Sequence, residues 1–147
     1  MIEPFRINIS NQTIENIYDK IIKYPWNEMP NIDGWNHGTN FSYTKEISKY
    51  WIEDFNWKKQ ETNINKFSNF KTKVEGADIH FIKEKGSGSN PMPLLIMHGW
   101  PGSIVEFIHI IEKLAHPEKF GGKEEDAFDV IVPSLPGFGF SSKPKTP

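Results

Sequence analysis

The chain has 147 residues, 37% hydrophobic and 24% charged, with 11 glycines and 11 prolines, the balance of a globular domain. A net charge of -2 without a dense basic cluster argues against nucleic acid as a partner, and the absence of cysteine excludes disulfides, thiolate metal sites and cysteine nucleophiles. No window approaches eighteen apolar residues and residues 1–6 lack a leader-like run, so the expectation is a cytoplasmic chain with no membrane span.

Helical spacing opens the chain. Ile14, Ile17, Tyr18, Ile21 and Ile22 form one stripe over residues 10–24, with Ser10 or Asn11 as its cap and Pro25 as its stop. A loop over residues 26–40 carries Trp26 and Trp35, bulky rings that clamp a segment onto a neighbouring surface. A second helix is predicted over residues 42–55, with Ile47, Tyr50, Trp51 and Phe55 on one face. Residues 56–66 form a weaker third helix holding Trp57 and Ile64.

The period then changes from helical to alternating. Phe70, Thr72 and Val74, the turn Glu75-Gly76-Ala77, and the alternation of Ile79 and Phe81 with His80 and Ile82 predict a β-hairpin. Gly86-Ser87-Gly88-Ser89-Asn90-Pro91 is a surface loop. A buried strand over residues 94–97 follows, then a helix from Ile104 to Pro117, begun by Ser103 and Glu106 in capping-box spacing. Residues 128–132 are a further strand. Both strands carry apolar residues on both faces, as parallel strands covered by helices must. The fold class is α/β: an N-terminal helical segment, then a hairpin and a strand-helix-strand unit. The division expected is residues 1–66 for the helical region and residues 67–147 for the start of the sheet core.

The chemistry lies where these two strands end. His98-Gly99-Trp100-Pro101-Gly102-Ser103 and Ser134-Leu135-Pro136-Gly137-Phe138-Gly139-Phe140-Ser141 are loops that let backbone approach a ligand closely. One reading is an oxyanion site built on the Trp100 backbone N–H, helped by the N-terminal N–H groups of the following helix. A tight connecting turn is the equal alternative on these residues alone.

These two loops resemble the oxyanion-hole motif and the second loop motif of α/β-hydrolase epoxide hydrolases. Pro4-Phe5-Arg6-Ile7, Gly34-Trp35 with Gly38-Thr39-Asn40, residues 54–61, Phe70-Lys71-Thr72 and residues 76–81 are similar to the N-terminal region of the microsomal and juvenile-hormone enzymes. The resemblance implies an incomplete α/β-hydrolase sheet and hydrolysis of a small hydrophobic epoxide to a vicinal diol through an alkyl-enzyme ester. It implies that the Trp100 backbone N–H is an oxyanion donor and that Trp100 and Pro101 line the substrate pocket across a cis bond. His98, Gly99, Gly102, Gly137 and Gly139 then hold the motif, with His98 bracing the loop through hydrogen bonds.

The same resemblance places the aspartate nucleophile, its acidic and histidine partners and two cap tyrosines beyond Pro147, and no Gly-x-Asp-x-Gly or Gly-x-Ser-x-Gly occurs in these residues. The expectation is a fragment, a split-gene half or a shortened frame, inactive alone and complemented by a C-terminal hydrolase fragment. A fragment of an esterase or haloalkane dehalogenase, or a non-catalytic interaction module, is the alternative. No cofactor or metal is expected: His109, Glu112 and His116 lack HExxH spacing, His37 and His80 show no partner, Asp129 lies within a strand, and Gly137 with Gly139 only begins a dinucleotide fingerprint. An exposed apolar edge is expected at the strand over residues 128–132, with a tendency to aggregate or to need a partner.

Overall fold

Short side-chain oxygens start the helices of the N-terminal region. The Ser10 hydroxyl accepts the Thr13 backbone N–H at 3.1 Å and opens α1 (Asn11–Ile22), so of the two candidate caps Ser10 does the work. Asn40 accepts the Tyr43 N–H at 2.9 Å and opens α2 (Phe41–Glu53), and Asn56 caps α3 (Trp57–Ile64) through the Lys59 N–H at 2.9 Å. The computed structural model describes residues 1–30, 32 and 34–144. Asn31 and Asp33 of the expected loop lie outside the described residues, as do residues 145–147.

The chain divides into two compact units: Asn8–Gln60, and Met1–Ile7 together with the chain from Glu61 onward. Within the first, the predicted stripes do face one another. Ile14, Ile17 and Tyr18 of α1 and Ile47, Tyr50 and Trp51 of α2 line an open apolar groove of about 540 Å³, and the Tyr18 hydroxyl donates to the Phe55 carbonyl at 3.3 Å. Neither α1 nor α2 contains a buried residue, so the stripes are only half covered. Trp26 lies tilted against Tyr24 (4.6 Å between centroids) and edge-on to Phe41 (6.1 Å), and Trp35 meets Tyr43 at 5.3 Å; both tryptophans thus clamp the loop to the start of α2.

The second unit is a five-stranded sheet in the order β1-β2-β3-β5-β4, built from β1 (Glu3–Pro4), β2 (Asn69–Val74), β3 (Ala77–Glu84), β4 (Met92–Leu95) and β5 (Phe128–Pro133). The hairpin turns through Glu75 and Gly76, both at positive φ (49° and 83°), the backbone a two-residue turn of this hand requires. It brings Phe70 opposite Phe81, whose rings stack at 5.6 Å. The first residues join the sheet as β1, antiparallel to β2. Ile7 is held just beyond it: Asn65 accepts the Ile7 N–H at 3.0 Å and donates to its carbonyl at 2.8 Å, an amide side chain standing in for a strand.

β5 runs antiparallel to β3 and parallel to β4. Two expectations need correction here. The open edge is β4, not the strand over residues 128–132, because β5 inserts between β3 and β4. Nor is β4 covered on both faces: Met92, Leu95 and the following Met97 are 67%, 58% and 59% exposed. β4 also begins two residues earlier than predicted, although the Ile96 N–H still reaches the Ile131 carbonyl at 2.9 Å.

The continuous helix predicted from Ile104 to Pro117 is also corrected. A 3₁₀ turn spans Ile104–Phe107, and only Ile111–Ala115 is α-helical (α4). Ile104, Val105, Ile108, Ile110 and Ile111 are β-branched, which restricts their rotamers against a preceding helical turn. Ile104 and Ile111 are both fully buried, in the core with Ile82, Val130 and Val132.

Candidate active site

The loops at residues 98–103 and 134–142 leave the carboxyl ends of β4 and β5, which run side by side in one direction. His98 ties them together. It is 4% exposed, its Nε2 accepts the Leu135 backbone N–H at 3.2 Å, and its Nδ1 lies 3.0 Å from the Gly99 carbonyl. An N–H can be accepted only by an unprotonated nitrogen, so the ring is the neutral Nδ1–H tautomer and donates to Gly99. The Phe138 ring closes on it edge-on at 5.2 Å.

That bond orients the peptide that follows. The Gly99 carbonyl and the Trp100 N–H belong to one trans peptide, so fixing the oxygen aims the N–H the opposite way. Among the described residues no acceptor takes the Trp100 N–H. The Trp100 side chain is 84% exposed and the Trp100–Pro101 bond is cis. Trp100, Pro101, Gly102, Val105 and Phe138 help to line an open depression of about 510 Å³.

The helix start contributes differently from the sequence-based expectation. Glu106 accepts the Ser103 N–H at 2.9 Å and Ser103 Oγ accepts the Val105 N–H at 3.3 Å, so the predicted capping box forms and consumes those donors. This end carries the Glu106 carboxylate and only four residues of 3₁₀ turn follow it. Gly102 is required: a Cβ would meet the Glu106 carboxylate and stand 2.8 Å from the Gly99 oxygen that His98 holds. Gly137 and Gly139 sit at φ 84° and 50°, and a Cβ on Gly139 would lie 2.7 Å from Ser134 Oγ.

Beneath the second loop lies a buried polar group that spacing did not reveal. His80, with no solvent exposure, has Nε2 2.9 Å from Asn69 Oδ1 and Nδ1 2.9 Å from Ser134 Oγ. Burial, with the Lys71 ammonium as the smaller cause, lowers its pKa from 6.5 to about 4. Its partners are 11 and 54 residues away, so only its place among alternating apolar residues hinted at burial. His116 has its own partners. It bonds Ser87 Oγ at 2.7 Å and Glu84 at 3.3 Å rather than joining His109 and Glu112. Among the described residues no group of three or more acidic or histidine side chains could hold a metal ion, and no helix is long and apolar enough to cross a membrane.

A parallel strand pair with paired Gly-Pro loops at its carboxyl ends, continued by an antiparallel hairpin, is the N-terminal part of an α/β-hydrolase sheet. Residues 2–107 match the family described as epoxide hydrolase N terminus, and residues 92–147 match the alpha/beta hydrolase fold. The chain belongs to the epoxide hydrolase N-terminus family. It is 42% identical over 144 residues to epoxide hydrolase 1 of Oryctolagus cuniculus, covering 95% of this chain and 32% of that protein. It is 38% identical over 151 residues to juvenile hormone epoxide hydrolase 1 of Ctenocephalides felis, covering 99% and 32%. Among solved structures, the juvenile hormone epoxide hydrolase of the silkworm Bombyx mori superposes with a TM-score of 0.80 at 28% identity, over 100% of this chain and 35% of that one. The Aspergillus niger epoxide hydrolase gives 0.79 at 26% identity, over 98% and 37%. The chain thus spans about a third of the length of the curated relatives it matches.

Proposed function

We propose that this chain is the N-terminal part of an epoxide hydrolase and supplies one half of its active site. The reaction converts a small hydrophobic epoxide to a vicinal diol. A carboxylate opens the ring to give an alkyl-enzyme ester, and water then attacks the ester carbonyl. The tetrahedral oxyanion collapses to release the diol and regenerate the carboxylate. The Trp100 N–H stabilises that oxyanion, and the Trp100 ring and Pro101 line the pocket. His98, Gly99, Gly102, Gly137 and Gly139 hold the two loops in place. Residues 1–66 serve as the family's N-terminal region and residues 67–147 begin the catalytic core. Alone the chain is inactive, needing a hydrolase segment that carries the nucleophile; the working compartment proposed is the cytoplasm.

The observation that carries this reading is the Gly99–Trp100 peptide, whose carbonyl is held by His98 while its N–H meets no acceptor among the described residues. The test combines this chain with a C-terminal α/β-hydrolase fragment bearing Gly-x-Asp-x-Gly and follows styrene oxide hydrolysis. Activity is expected only in the mixture. Replacing the Trp100 amide by a backbone ester, which deletes the N–H alone, is expected to lower the rate about 10²–10³-fold. Diol production by the chain alone, or an unchanged rate in the ester variant, overturns the proposal.

A further inference from the structure

The hydrogen bonds around His80 have forced directions and lead to the Trp100 peptide. Asn69 Nδ2 donates to the Ile64 and Phe67 carbonyls at 3.2 and 2.8 Å, which leaves Oδ1 facing His80. Oδ1 only accepts, so His80 Nε2 carries the ring proton. Nδ1 is then a lone pair, and the Ser134 hydroxyl must donate to it. Ser134 is gripped at its other atoms too: its N–H donates to the His80 carbonyl at 2.9 Å and its carbonyl accepts Ser141 Oγ–H at 2.7 Å. The His80 N–H in turn donates to Ser141 Oγ at 2.9 Å. Phe5 and Phe140 confine the imidazole edge-on, at 5.5 and 5.2 Å.

The Ser134–Leu135 peptide is thereby pinned on one side, and its N–H is the donor that His98 accepts. His98 passes the constraint to the Gly99 carbonyl and so to the Trp100 N–H. We infer that His80 is a positioning residue, acting through Ser134, Leu135 and His98 to fix the direction of the Trp100 backbone N–H. Its value for catalysis rests on the oxyanion role proposed above; the positioning itself does not. Two buried histidines on different strands and loops thus form one relay. A bond made to the Gly99 oxygen also polarises its peptide and strengthens the N–H as a donor.

The experiment uses the 147-residue chain, ¹⁵N-labelled, with imidazole two-bond ¹H–¹⁵N spectra and amide exchange at pH 7. The wild-type chain is expected to show His98 as the pure Nδ1–H tautomer and a protected Leu135 amide. Ser134→Ala, which removes one hydroxyl without opening the core, is expected to mix the His98 tautomers. It is also expected to shift the Trp100 amide and lower Leu135 protection about tenfold relative to other β5-loop amides, the scale of one lost hydrogen bond. Asn69→Ser releases the ring from its other side and is expected to act in the same direction. Val132→Ala, an apolar core change, is expected to lower exchange protection generally while leaving the His98 tautomer intact. A folded Ser134→Ala chain with unchanged His98 tautomer and Leu135 protection overturns the relay. An intact relay beside an ester variant of normal activity would sink the oxyanion role alone.

Discussion

The imidazole of His98 and the backbone N–H of Leu135 join across 3.2 Å, coupling two loops that leave neighbouring parallel strands. Because the same ring also donates to Gly99, one side chain sets both the spacing of the loops and the direction of the peptide between Gly99 and Trp100.

Replacing that ring removes two partners at once. His98→Phe keeps an aromatic body beside Phe138 but leaves the Leu135 N–H and the Gly99 carbonyl unmatched. An unsatisfied group costs about 1–3 kcal/mol when buried; Gly99 is exposed, so water takes its carbonyl, and the half-buried Leu135 N–H leaves an expected loss of roughly 2 kcal/mol. Urea denaturation at pH 7 measures it; a midpoint equal to wild type would show that water or another donor replaces the ring without cost.

His80 makes stability depend on pH below neutrality. Its folded pKa, about 4, lies under the unfolded value of 6.5, so the unfolded chain takes up the proton first as pH falls. The stabilisation is complete above pH 6.5, is lost progressively down to about 4, and changes no further below that. The full loss is roughly 3 kcal/mol, since each tenfold of proton affinity is worth about 1.4 kcal/mol. Denaturation curves at pH 7, 5.5 and 4.5, for wild type and His80→Phe, isolate the contribution. A wild-type dependence no steeper than that of the variant would contradict the buried neutral ring.

Two glycines at positive φ should respond unequally to alanine. Gly76 has open space around it, so Gly76→Ala carries only the left-handed backbone penalty of roughly 1–2 kcal/mol. Gly139→Ala adds a Cβ 2.7 Å from Ser134 Oγ and disturbs the His80–Ser134 bond as well. Thermal melts should rank Gly139→Ala well below Gly76→Ala. Equal melting temperatures would mean the loop around Ser134 yields freely.

The exposed edge carries its own prediction. With the Ile96 N–H turned toward β5, the alternation along β4 points the backbone of Pro93, Leu95 and Met97 outward. Pro93 offers no donor there, while Leu95 and Met97 offer both donors and apolar side chains. The purified chain should bind an apolar dye and self-associate, and Leu95→Lys with Met97→Lys should reduce both. A monomeric wild-type chain with a cooperative melt and no dye binding would refute this.

Local rules make much of the fold legible in the sequence. The caps at Ser10 and Ser103, the hairpin turn at Glu75-Gly76 and the two Gly-Pro loops all depend on residues within a few positions of one another. Contacts between residues distant in the chain leave no such local signal. β5 inserts between β3 and β4 and leaves β4 as the open edge, a pairing made by segments far apart in the chain.

Sequence alone determined the class of this protein, since its loop motifs are runs of contiguous residues whose backbone demands can be read directly. It also named His98 as the brace of the first loop. The tertiary structure decided what the brace holds, which strand is the open edge, and that His80, Asn69 and Ser134 form one buried network. Those facts depend on sheet order and register. A histidine's tautomer, and through it the direction of the Trp100 N–H, is set by partners that only the folded chain brings within hydrogen-bonding distance.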